Sequence, residues 1–164
     1  MRVRTIVFAG AMIAAGAAHA QWDTKIEDDI FSGGKKAMLL GIISPNSFVV
    51  ADCDSSGELS IAYSEKGEWN AGMALGEFRL LIKVDSGSVM EAKAKAEERN
   101  SDYFQITSDD ADVVLEMIKQ IALAKRSILV GIEEPSFDMK HSATIGASGS
   151  TKATKRFLDA CGRG

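Results

Sequence analysis

The chain has two cysteines in 164 residues, and their placement constrains its folds more than any other feature. Cys53 closes an apolar run, FVVADC (48–53), that reads as a strand with both sides covered. Cys161 lies near the C-terminus, on a helical segment whose Ala153, Phe157 and Ala160 share its face. In an oxidising compartment two such cysteines pair as one disulfide. That bond joins an early strand to the last helix, which excludes arrangements that hold the two apart. Closing a loop of about 110 residues stabilises by roughly 4 to 5 kcal/mol in the chain-entropy model. Neither cysteine has a neighbouring His or a CxxC spacing that makes a catalytic thiol.

The N-terminus supplies the compartment. Arg2 and Arg4 precede an apolar or small stretch from Ile6 to Ala17, and Ala18-His19-Ala20 is an A-x-A site. This is the pattern of a signal peptide over 1–20 cleaved after Ala20, its apolar part too short to span a bilayer. No cysteine follows the site to take a lipid, and the two arginines are not adjacent as a twin-arginine signal requires. The expected location is the periplasm, or beyond it by secretion. Cleavage leaves one domain, 21–164, of 164 − 20 = 144 residues, with a net charge of 17 − 23 = −6. A chain of that size buries about two-thirds of its unfolded surface. Its acidity argues against nucleic acid or an anionic membrane as partner, and no later segment reads as a membrane span.

Hydropathy patterning predicts an α+β domain, an antiparallel sheet curled into a sandwich or partial barrel with two packed helices. Strands are expected at 36–43, 48–53, 58–64, 77–84, 102–107, over SILVGIE and over SFDMKHSATIG. In 58–64, Leu59, Ile61 and Tyr63 share one face. The stretch 89–100 has helical composition, yet Met90, Ala92, Ala94 and Ala96 alternate with charged residues, which favours a strand. One helix is predicted over about 109–125, capped by Ser108 with Asp109, Asp110 and Asp112 in its positive first turn. The other begins at Ser150 as N-cap. Trp22 is expected to pin the first strand to the core.

Several stretches invite a chemical reading. DCDSSGELSIAY begins like a calcium loop, but the twelfth place, which needs a bidentate Glu, holds Tyr63. A hairpin loop Asp54-Ser55-Ser56-Gly57 explains it, with Gly57 at positive φ. The register, which sets whether Cys53 faces with Leu59 or Glu58, stays open. His141 is the one histidine left after cleavage, on the apolar side of its strand, where a packed and hydrogen-bonded ring is the expectation. Once the cysteines pair, a zinc site lacks ligands. The acidic trio at 109–112 is explained by helix capping, and Lys152, Lys155 and Arg156 by a solvated helix face. Trp69, in the glycine-punctuated loop EKGEWNAGM, has two readings: an anchor for a protein interface, or a lid folded back on the sheet.

The order of FVVADC, LLIKVD, AKRSILVGI and GSTKATKRFLDAC, with Gly149, Ser150, Thr151, Ala153, Phe157, Leu158 and Cys161 in the last, resembles small periplasmic proteins of proteobacteria. These are relatives of the invasion-associated locus B protein and of type VI secretion-associated periplasmic proteins. The resemblance implies a β-rich fold stapled by one disulfide, with no catalytic residues to carry over. The expectation is a non-enzymatic accessory or binding protein that contacts an envelope or secreted protein, without cofactor or metal. The alternatives are a small hydrolase built on His141 with a serine or carboxylate, and a ligand- or calcium-binding protein.

Overall fold

A computed structural model describes residues 20–164. The signal-peptide expectation falls on 1–20, almost wholly outside the described residues. The strands are β1 (Trp22–Asp28), β2 (Lys35–Ser44), β3 (Ser47–Cys53), β4 (Leu59–Lys66), β5 (Phe78–Val84), β6 (Val89–Asn100), β7 (Tyr103–Ser108), β8 (Ser127–Glu134) and β9 (Met139–Gly146). The helices are α1 (Ala111–Leu123) and α2 (Ser150–Ala160). The strands form one nine-stranded antiparallel sheet in the order β1-β2-β3-β4-β7-β6-β5-β8-β9. It is an α+β fold: the sheet curls into a half-barrel, and its concave side holds both helices.

Alternation along each strand builds the core. Val49, Ala51 and Cys53 of β3 face inward with Leu59, Ile61 and Tyr63 of β4, Leu80 and Ile82 of β5, and Ile106 of β7. The segment 89–100 is the strand its alternation predicted, and its inward Ala92 and Ala96 are small and buried beside α1. Tertiary pairing on both edges outweighs the helical propensity of its Ala, Glu and Lys. Val114, Met117, Ile118 and Ile121 of α1 enter the same core as Ala153, Phe157 and Leu158 of α2. Thr151 Oγ1 donates to Ala122 O at 2.7 Å and fastens one helix to the other. Trp22 is buried, as expected, and its ring lies on Gly41, where a Cβ would come within 2.6 Å of the indole.

The helix ends differ from the sequence reading. Ser108 stays in β7, paired with Ile61, so Asp110 is the N-cap and accepts from Val113 N. At the other end α1 stops at Leu123, short of Lys125. The Asp85 carboxylate takes the N–H groups of Lys125, Arg126 and Ser127 at 2.8 to 3.0 Å, which turns the chain into β8. Ser150 is the first helical residue of α2 rather than its cap. The cap is Gly149 at φ 87°, where a side chain would meet Trp22 O at 3.0 Å. Phe137 is not in a strand: Pro135–Phe137 is a short 3-10 turn, because the Glu134 carboxylate captures Phe137 N.

Cys53 and Cys161 form the disulfide, with Cα atoms 6.1 Å apart. The open register resolves with Cys53 opposite Leu59, both inward. Gly57 takes φ 84° in the hairpin loop.

Candidate interaction surface

One mouth of the half-barrel brings together two of the residues that the sequence singled out, Trp69 and His141. The start of β3, the end of β4, the start of β5 and the β8–β9 turn all meet there, as the pairs Ser47 with Glu65 and Glu134 with Met139 require. The loop 67–77 crosses this mouth. It is held by Gly67 N to Asp102 O at 3.0 Å and by Asn70, whose side chain caps a 3-10 turn, Ala71–Leu75, through Gly72 N at 2.8 Å. Trp69 is half-buried and packs with Met73 against the core, so its ring lies as a lid with one part left to solvent. Beyond it Leu75 is 88% exposed, and Phe137 of the neighbouring turn is 77% exposed.

Glu134 connects these two turns. Its residue is buried, 1% exposed, and Oε2 accepts from Phe137 N at 2.7 Å. Gly76 of the loop lies over it: a Cβ there would sit 3.2 Å from Glu134 Cγ. Burial opposes ionisation of this carboxyl. The N–H groups of Phe137, Ser136 and Glu77 and the Ser136 hydroxyl outweigh burial and hold the group below the usual glutamate range. Oε1 has no partner in hydrogen-bond geometry, so Glu77 and Ser136 act at longer range.

Next to this clamp lies a polar chain. Tyr63 is buried, and its hydroxyl is 3.1 Å from Glu65 Oε2 and 3.1 Å from His141 Nε2. The Tyr63 and His141 rings meet at 5.4 Å with a 58° tilt. Burial first, then the charge and hydrogen bond of Glu65, push the phenol up to about 12. A phenol has one proton. With that proton on Glu65, the contact with His141 requires an Nε2–H donor. His141 is hydrogen-bonded as expected, but it is exposed rather than packed away, because β9 is an edge strand. Its hydrogen-bond partner is Tyr63, not a serine. Sequence reading missed this contact because Tyr63 and His141 are 78 residues apart.

The other candidates lie elsewhere. Asp54 Oδ1 takes Ser56 N, Ser56 Oγ and Glu58 N at 2.7 to 3.0 Å, closing its own hairpin; the Ser56 hydroxyl leads in holding this carboxyl below its usual range. Asp52 points to the convex face, where Arg99 grips both of its oxygens at 2.8 and 3.2 Å. The start of the calcium-like pattern therefore diverges. Asp109 pairs with Lys95 at 2.9 Å, separate from the cap Asp110. Among the described residues, no group of three or more His, Cys, Asp or Glu side chains is placed to hold a metal ion. No helix among them is long and apolar enough to cross a membrane. On α2, Arg156 lies 3.8 Å from Asp23 and Lys155 3.7 Å from Asp159.

The molecule is thus defined by class as a disulfide-stapled half-barrel with a clamped apolar mouth. No protein-family model, no curated protein and no solved structure matches the chain.

Proposed function

We propose that this is an exported accessory or binding protein of the cell envelope, periplasmic or secreted, that works by protein–protein contact at the mouth of the half-barrel and performs no catalysis. One observation carries the reading. Leu75 and Phe137 project into solvent from two ordered turns, the first capped by Asn70 and the second by the buried Glu134 carboxylate, with Trp69 half-buried beside them. Apolar side chains exposed on an ordered support are the usual anchors of interfaces, since little conformational entropy is lost when they dock. The resemblance to periplasmic proteins of the invasion-associated and type VI secretion-associated kinds agrees with such a role.

The test is crosslinking of the tagged protein in its own envelope, with mass spectrometry of the captured species. A single dominant partner is expected, recovered roughly tenfold less well with Trp69→Ala or Leu75→Ser/Phe137→Ser. Equal recovery with all variants removes the mouth as the contact.

A second reading rests on Tyr63, Glu65 and His141. A histidine bonded to a buried phenol beside a carboxylate is an arrangement able to move a proton, which suits a small hydrolase. Hydrolysis of ester or amide probes that disappears in His141→Gln would favour it. No turnover, with the envelope partner present, would dismiss it.

A further inference from the structure

The peptide bond that follows the A-x-A sequence belongs to the folded molecule. Ala18-His19-Ala20 precedes Gln21, and Gln21 is tied through both of its backbone groups. Its N–H donates to Ser148 O at 3.0 Å, and its carbonyl accepts from Ile42 N at 2.9 Å. Its carboxamide lies over Gly146, which has no side chain to obstruct it. The next residue, Trp22, is 2% exposed, and its Nε1 donates to Gly146 O at 2.9 Å. On the other side of the bond Ala20 lies against Gly149, where an added Cβ would sit 3.0 Å from Ala20 Cβ. Together these contacts make a seam that joins the start of β1 to the end of β2 and to the loop between β9 and α2.

A peptidase takes its substrate as exposed, extended chain, so a bond held in folded structure is cut from states in which that structure has opened. Hydrolysis adds water across the Ala20–Gln21 bond: Ala20 keeps a carboxylate, and the Gln21 nitrogen leaves with a proton. That leaving nitrogen is the atom whose N–H is committed to Ser148 O. Presenting the bond means releasing both backbone bonds of Gln21, and the adjacent Trp22 indole must follow. After the cut the seam loses nothing. The Gln21 nitrogen becomes an α-ammonium, largely protonated at neutral pH, and its bond to Ser148 O becomes charge-assisted.

We infer that the fold closes over its own processing site: the Ala20–Gln21 bond is cut before the Trp22 seam forms, and a chain whose seam has closed keeps residues 1–20. This rests on the reading of the chain as exported. Cleavage and seam closure compete, and their order decides between two products. One is a free domain with the Gln21 amine seated on Ser148 O. The other is a folded domain still joined to its leader.

The substrate that tests this is the full chain in detergent, offered to a peptidase specific for A-x-A sites, with mass spectrometry of the product. The expected result is a cut after Ala20 when the chain is presented at once on dilution from urea. Once the chain has refolded under oxidising conditions, the cut should be roughly a hundredfold slower. A variant that keeps the seam carries about six Gly and Ser residues inserted between Ala20 and Gln21, which move the scissile bond out into flexible chain. That precursor, folded, should be cut at nearly the unfolded rate. A folded natural precursor cut as fast as the unfolded one would overturn the inference. So would an inserted variant as resistant as the natural chain, by assigning the protection to something other than the seam. An unfolded precursor left uncut at Ala20 would remove the exported reading itself, whatever the seam does, and the inference with it.

Discussion

Trp22 Nε1 donates to the carbonyl of Gly146 at 2.9 Å and so fastens the first strand of the sheet to the last. Gln21 N adds a bond to Ser148 O at 3.0 Å, and Thr24 Oγ1 one to Ala153 O at 2.6 Å. The sheet closes here through a few side-chain and loop contacts rather than through a ladder, so much of the closure rests on one indole. Trp22→Ala should cost about 3 to 5 kcal/mol, and Trp22→Phe, which keeps most packing and loses the N–H, nearer to 1 kcal/mol beyond its smaller volume. Urea unfolding of both variants checks this. Equal losses would show that the hydrogen bond rather than the packing holds the seam.

The Cys53–Cys161 bond spans 108 residues of sequence and ties β3 to the end of α2. Cys53→Ala/Cys161→Ala should lower stability by roughly 4 to 5 kcal/mol, a large share of what a domain of this size has. The single variants should match the double, since either removes the same crosslink. A thermal transition that is indifferent to reductant would refute this.

Tyr63 offers a spectroscopic prediction. The chain has two tyrosines, and the phenol of Tyr63 is held up to about 12 by burial and by Glu65. An ultraviolet titration should show one tyrosine ionising only near that value. Tyr63→Phe should remove this late step and cost about 1 kcal/mol through lost hydrogen bonds. A titration with both tyrosines in the ordinary range would contradict the burial of the hydroxyl.

Asp29 sets an acid dependence. The Phe31 N–H first, then the Ser55 and Ser32 hydroxyls, lower its carboxyl from 3.8 to about 2. A lowered folded pKa means the unfolded chain takes up the proton first as pH falls. The contribution of Asp29 is therefore complete above about pH 4 and is lost as the pH falls through about 2. Asp29→Asn should flatten the thermal midpoint across that window and leave the Trp22 seam untouched. An identical acid profile in the two proteins would show that the β1–β2 turn does not depend on the charge.

Much of the strand content was legible, because inward positions such as Leu59, Ile61 and Tyr63 repeat with period two whatever they pack against. The 89–100 strand was legible on the same ground, against its own composition. Helix ends were less so. Ser108 and Asp110 are both competent caps, and only the pairing of Ser108 with Ile61 decides between them. Trp69 stood out through its glycine neighbours. Leu75 and Phe137 did not, because exposure belongs to the surroundings of a side chain and not to its identity.

The sequence alone determined the alternation that makes strands, the amphipathic stripes that make helices and the availability of two cysteines, each a matter of local spacing or residue type. The tertiary structure decided the order β4-β7-β6-β5-β8, the seam from Trp22 to Gly146, the meeting of Tyr63 with His141 and the burial of Glu134 beneath Gly76. These depend on which faces find each other when the sheet curls, and that is settled by the summed burial of the whole core rather than by any short stretch of chain.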